Sequence, residues 1–189
     1  MKPKELIDIL TVAERLKCNT RHADTSSGRR ESVAEHSWRT ALMAMLLSDE
    51  FPDTDTDKVI RMCLIHDLGE AFTGDIATFD KTKADEEKEE AAYRKWIAGF
   101  PASQREQFEA LLSEMEAMQT KEARLYKDLD KLEAVIQHNE SDIASWLPLE
   151  YDLQLTYGSA EVEFSPYLKQ LKAFVNRCTR EKIEASRKK

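Results

Sequence analysis

The stretch Leu125-Tyr126-Lys127-Asp128-Leu129-Asp130-Lys131-Leu132-Glu133-Ala134-Val135-Ile136 decides the structural class of this chain. Leu125, Leu129, Leu132 and Ile136 recur with the period of one face of an α-helix. Charged and polar residues fill many of the intervening positions, so the pattern predicts an amphipathic helix from about Lys121 to Asn139. The same period returns along most of the chain, and five glycines and five prolines are all that punctuate it. The expected fold class is all-α, a single-domain helical bundle.

Outward from that helix the elements follow from caps and breakers. Upstream, a first helix covers roughly Lys4 to Leu16, with Leu6, Ile9, Leu10 and Ala13 on one face. A polar loop is expected from Cys18 to Glu31. Ser32 then serves as an N-cap, with Glu35 three residues on completing a capping box, and opens a helix running to about Asp49. Asp55, Thr56 and Asp57 offer caps to a helix carrying Val59, Ile60, Cys63, Leu64 and Ile65, which Gly69 weakens at its end. Gly74-Asp75-Ile76-Ala77-Thr78 is expected to be a loop. Lys83 to Ile97 is a highly charged helix with a solvated face, and Pro101 and Ser103 start another reaching toward Met118. Downstream, Trp146-Leu147-Pro148-Leu149 and Tyr157-Gly158-Ser159 are breaks before a final helix from Ser165 to Lys182. The 189 residues make one domain, with a core over about 6–140, C-terminal helices over about 141–182 and a basic, fraying tail at 183–189.

The formal net charge of -8 argues against binding of polymeric nucleic acid through a basic surface. It leaves open a small phosphorylated molecule held by a local Arg or a metal. Cys18, Cys63 and Cys178 form no CxxC pattern, so neither a zinc ribbon nor a disulfide framework is expected, and a reduced, cytoplasmic compartment fits. Met1-Lys2-Pro3-Lys4-Glu5 lacks the apolar run of a signal peptide. No uncharged stretch approaches membrane-spanning length.

Three segments carry metal-binding chemistry. Glu35-His36 opens one helix, His66-Asp67 lies near the end of the next, and Asp130 sits in the quoted stretch. His36 shares a helical face with Thr40, Met43 and Leu47, so its imidazole points inward. His66 and Asp67 diverge by about 100° but both reach an ion lying between their directions. Asp128 and Asp130 differ by about 200° and cannot face one centre. Periodicity does not choose between them, although the small neighbours of Asp130 leave more room for a metal. Two imidazoles and two carboxylates suit Mn²⁺, Co²⁺, Fe²⁺ or Zn²⁺, whereas Mg²⁺ prefers more oxygen. Such an ion polarises a phosphoryl oxygen and acidifies water. Glu70, three residues after Asp67, and Asp75, on the glycine-led loop, are the candidate proton-handling groups, and Arg21 can fork onto a phosphate. Against this stand plainer roles. A lone histidine such as His22 or His138 is more often a simple hydrogen-bonder, Arg21 a surface ion-pair partner, and Glu70 a helix-end charge.

Taken in order, the stretches Glu31-Ser32-Val33-Ala34-Glu35-His36-Ser37, Ile65-His66-Asp67-Leu68-Gly69-Glu70, Thr73-Gly74-Asp75-Ile76-Ala77-Thr78 and Leu129-Asp130 resemble the HD-domain metal-dependent phosphohydrolases. Within them the chain is most similar to the 5′-deoxynucleotidase branch. The resemblance spans about Leu6 to past Ile136. It implies a helical fold, one divalent ion, Co²⁺ or Mn²⁺ foremost, on His36, His66, Asp67 and Asp130, and homodimers. It implies hydrolysis of deoxynucleoside 5′-monophosphates, with Glu70 and Asp75 assisting proton transfer and water positioning and Asp75, Ile76, Ala77 and Thr78 lining the nucleotide pocket. Arg21 corresponds to the branch's phosphate-orienting arginine, but His22 follows it where the bacterial pattern has Trp. The same resemblance admits other HD phosphohydrolases, acting on cyclic nucleotides, triphosphates or alarmones. A binding protein of the same fold without turnover would need neither Glu70 nor Asp75.

Overall fold

The computed structural model describes residues 1–188. Helices α1 (Pro3–Ala13), α2 (Val33–Leu46), α3 (Thr56–Ile65), α4 (Glu70–Thr73), α5 (Lys83–Ile97), α6 (Ala102–Ala117), α7 (Lys121–Glu140), α8 (Glu150–Thr156) and α9 (Pro166–Ser186) make it predominantly α. The central element is α7, which touches α2, α3, α6, α9 and the hairpin described below. Its stripe behaves as its period requires: Leu125, Leu129 and Leu132 are buried against Val59 and Met62 of α3 and Ala41 and Ala44 of α2. Each such apolar side chain contributes about 1.5–3 kcal/mol on leaving water. Ile136, the last of the stripe, is half-buried.

The expected loop from Cys18 to Glu31 is instead an antiparallel hairpin. Strands β1 (Thr20–Asp24) and β2 (Arg30–Ser32) pair Thr20 with Ser32 and Asp24 with Arg30, with an irregular register between. Gly28 turns the chain at φ +81°, a left-handed conformation that glycine adopts without steric cost. Thr20-Arg21-His22-Ala23-Asp24 has no apolar alternation because it faces a cavity and not the core.

Two helix expectations are also corrected. The face of α1 is covered only in part: Leu6, Ile7 and Leu10 are exposed, while Ile9 is half-buried against the core. At the other end α9 continues past Lys182 to Ser186 and buries Ile183. Lys182 Nζ donates to the carbonyls of Asn139 (2.9 Å) and Ser141 (2.6 Å). That places a cation on the C-terminal carbonyls of α7 and ties the two helix ends together. Trp146 is core and not surface. It stacks on His138 at 4.6 Å and donates from Nε1 to Ser141 Oγ at 3.0 Å.

Local rules set the places where α2, α3 and α7 meet. At the start of α2, Glu35 N–H donates to Ser32 Oγ (3.3 Å) and Ser32 N–H donates to Glu35 Oε2 (2.9 Å). This capping box aims the next residue, His36, into the interior. Asp55 Oδ1 caps α3 by accepting from Lys58 N–H at 3.0 Å. After Ile65 the chain turns through His66-Asp67-Leu68-Gly69 into α4, which Gly74 ends at φ +78°.

Candidate metal centre

His36, His66, Asp67 and Asp130 come together from α2, from the turn after α3 and from α7. His36 Nε2 lies 3.3 Å from His66 Nε2 and 3.1 Å from Asp130 Oδ1. Asp67 Oδ2 lies 3.1 Å from His66 Nε2 and 3.8 Å from His36 Nε2, and His66 Nε2 is 3.6 Å from Asp130 Oδ1. Metal–donor bonds of about 2.0–2.2 Å place neighbouring donor atoms about 3–3.5 Å apart, so this spacing suits one small divalent ion. Asp67 Oδ2 is buried without a hydrogen-bond partner, which a cation would satisfy.

The outer ring nitrogens are held as well. His66 Nδ1–H donates to the Cys63 carbonyl at 2.8 Å, and His36 Nδ1 is hydrogen-bonded to Glu133 Oε2. Occupying Nδ1 in this way turns Nε2 of each ring toward the other donor groups, where a cation would displace its proton. Asp130 is held by Lys127 Nζ, 2.8 Å from its Oδ2, with its Oδ1 turned to the histidines. Asp128 goes elsewhere: it is buried with both carboxylate oxygens unpartnered, and burial followed by the nearby Glu161 charge raises its pKa to about 7.

Electrostatics mark the same spot. Burial opposes charge on His66, yet Asp67 and Asp130 raise its pKa to about 10. Burial and the Arg21 charge push His36 down, but Asp130 and Glu133 more than offset them. Burial works against ionised Asp67 and Asp130 too, and the cationic neighbours still hold both below the usual carboxylate range. The four groups compensate one another's charge, and a divalent cation binding there would displace the imidazole protons.

Asp67 and Asp130 open onto a cavity of about 380 Å³, whose wall includes Arg21, His22, Glu70 and the run Asp75-Ile76-Ala77-Thr78. Every sequence-predicted site residue therefore lies at this one place, the two buried histidines behind it. Arg21 sits with Nη1 3.6 Å from Asp67 Oδ2 and Nε 3.2 Å from Glu31 Oε2. Glu70 is buried with an unpartnered Oε2, and burial plus the charges of Asp67, Asp75 and Glu89 raise its pKa to about 10. Asp75 is raised in the same direction, chiefly by burial.

Sequence reasoning missed Glu133, Lys127 and the role of Glu31. Glu31 and Glu133 lie close enough to His36 to make a second carboxylate–histidine group, all three fully buried. Its imidazole nitrogen is already committed to Glu133, and neither carboxylate lines the cavity, so this group supports His36 from behind. The signal for Glu133 was its place one turn beyond Asp130 on a helix whose other inward positions are largely apolar.

Residues 13–172 match the family model described as HD domain. Human 5′-deoxynucleotidase HDDC2 is 33% identical over 146 residues, covering 76% of this chain and 70% of that protein. The 5′-deoxynucleotidase hdd1 of Schizosaccharomyces pombe is 28% identical over 144 residues, 72% of each. Among solved structures, a predicted metal-dependent phosphohydrolase from Magnetospirillum magnetotacticum superposes with a TM-score of 0.79 at 29% identity, covering 96% of this chain and 92% of that one.

Proposed function

This chain belongs to the HD-domain family, and we propose that it is a divalent-metal-dependent 5′-deoxynucleotidase, releasing phosphate from deoxynucleoside 5′-monophosphates. The observation that carries this is the convergence of His36, His66, Asp67 and Asp130 donor atoms at the wall of a cavity of mononucleotide size. The names of its relatives supply the substrate class.

His36, His66, Asp67 and Asp130 would hold the ion, with Co²⁺ or Mn²⁺ preferred over Fe²⁺, Zn²⁺ and Mg²⁺. When bound, it supplies Lewis acidity toward a phosphoryl oxygen and an acidified water. The rest falls to the chain. Arg21, at the cavity wall, neutralises the non-bridging oxygens of the phosphate. A bond forms from the water oxygen to phosphorus while the bond from phosphorus to the 5′-oxygen breaks, and that oxygen takes up a proton. Glu70 and Asp75 are the carboxyl groups on the cavity wall that manage these protons, and Glu70, held neutral by its surroundings, is the donor to the leaving oxygen. Asp75 through Thr78 line the nucleotide's side of the cavity.

No helix of the described residues is long and apolar enough to cross a membrane. The three free cysteines support a reduced, cytoplasmic setting. Exposed Leu6, Ile7 and Leu10 on α1 support a homodimer, since an uncovered apolar helix face favours a partner surface. The surface charge supports a small-molecule partner and not polymeric nucleic acid.

The test is phosphate release from deoxyadenosine monophosphate by metal-stripped protein before and after Mn²⁺ or Co²⁺ is returned, beside a panel of tri- and cyclic nucleotides. Release from the monophosphate alone, and only with metal, is expected. Preference for a triphosphate or cyclic nucleotide would replace this substrate assignment.

A further inference from the structure

We propose that the end of the cavity remote from the metal centre is a nucleobase subsite, built by His138, Glu150 and Gln154, that selects bases carrying an exocyclic amino group. The inference rests on the nucleotidase reading for the phosphate end and adds a ligand contact at the other.

The placement follows from α7. Asp130, Ala134 and His138 all line the cavity, at the four-residue spacing that keeps side chains on one helix face. Eight residues of helix advance about 12 Å. His138 thus stands from Asp130 at roughly the reach of a nucleotide from its phosphorus to its base, and the small Ala134 leaves the space between them free. On the facing side α8 contributes Glu150 and, one turn later, Gln154, both lining the same cavity.

These side chains are buried but not saturated. Gln154 Oε1 has no hydrogen-bond partner, and His138 and Gln154 are 5% and 8% exposed. A buried polar atom left open on a residue of the cavity wall marks a missing partner. Glu150 is set between two imidazoles, with Oε1 3.1 Å from His22 Nε2 and Oε2 3.4 Å from His138 Nε2, and it also accepts from Leu147 N–H at 2.6 Å. Oε1, with one partner, retains a further lone pair. The walls are aromatic: Phe79 meets His22 edge-on at 5.3 Å, and Trp146 backs His138. Flat walls with fixed polar groups suit a planar heterocycle. The carboxylate of Glu150 only accepts, and the Gln154 amide can turn its Oε1 beside it, so the complementary edge is one that donates. An amino group donates where the oxo group of thymine or uracil only accepts, and a buried acceptor facing that oxo group would go unpaired.

Cytosine and uracil differ at the amino position and make the matched probe. Hydrolysis of dCMP and dUMP is measured with the Mn²⁺-loaded full chain, and binding of deoxycytidine and deoxyuridine, which carry no phosphate, is measured calorimetrically on metal-stripped protein. We expect kcat/KM about tenfold higher for dCMP, expressed in KM, the worth of one hydrogen bond to a buried acceptor. Deoxycytidine should bind the stripped protein more tightly by a similar factor. Gln154→Leu and Glu150→Gln should each shrink both ratios. Equal handling of the two bases by the wild-type protein, or ratios unchanged in both variants, overturns the subsite. If neither monophosphate is hydrolysed but deoxycytidine is still preferred, the subsite is supported and the nucleotidase reading fails.

Discussion

His36 Nε2 and His66 Nε2 face each other at 3.3 Å, from residues 30 positions apart in the chain. Two imidazole nitrogens do not approach so closely unless a proton or a cation lies between them and the flanking carboxylates. With both Nδ1 atoms engaged on outer acceptors, the shared space suits a metal. His66→Ala and Asp67→Ala should therefore lose the ion and lower phosphate release at least about a thousandfold, several kcal/mol of transition-state stabilisation. Metal content by elemental analysis and phosphate release, taken together, check this. Wild-type turnover in either variant would remove the centre from the mechanism.

Glu70 is a buried carboxyl with an open oxygen, kept protonated near neutral pH by burial and by Asp67, Asp75 and Glu89. Glu70→Gln preserves its shape and removes the transferable proton. The expected result is a fall in kcat of about 10²- to 10⁴-fold, typical of a lost proton-transfer group, with metal content unchanged. A variant that turned over normally would show that the proton comes from elsewhere.

Glu133 does not line the cavity beside the metal centre, yet its carboxylate holds His36 at Nδ1. Glu133→Gln should weaken metal affinity about 10- to 100-fold, the usual consequence of losing a partner that orients a liganding imidazole. Competition against a chelator measures it. Unaltered affinity in a variant that melts like the wild type would assign Glu133 to folding alone.

Lys172 of α9 is 4% exposed and donates from Nζ to the Gln154 carbonyl at 3.0 Å. Burial pushes its ammonium down to about 8 from 10.5. The unfolded chain keeps that proton up to its ordinary value, whereas the folded chain releases it earlier. Between these two pH values the unfolded state binds more protons, so stability rises with pH. Below the folded value the cost of burying the charge is constant. Lys172→Met should stabilise the protein at pH 7 by about 1–3 kcal/mol and flatten that rise. Denaturant unfolding at pH 7 and pH 10 reads both effects, and a destabilised variant at pH 7 would contradict this account.

Much of the helical frame was legible because burial along α7 and α3 is periodic. Leu125, Leu129 and Leu132 report their face directly, and Ser32 with Glu35 announces the start of α2 through local hydrogen bonds. The hairpin was not legible. Arg21 and His22 lie on β1 for the sake of a cavity, so they carry no apolar alternation. The face of α1 misled for the opposite reason: Leu6 and Leu10 have helical spacing, but the rest of the chain packs against little of it.

The amino-acid order by itself determined the helices, their caps and the kinds of donor available, because these depend on neighbours within one or two turns. Helical spacing alone left Asp130 and Asp128 open, and only the family resemblance named Asp130. From spacing the two differ only in direction, and on the folded α7 one meets His36 while the other turns toward Lys131 and Glu161. Tertiary structure also recruited Glu133 to His36 across 97 residues and set Glu150 between His22 and His138. Such contacts carry no local signature, since each arises from where whole helices cross and not from the residues that flank it in the chain.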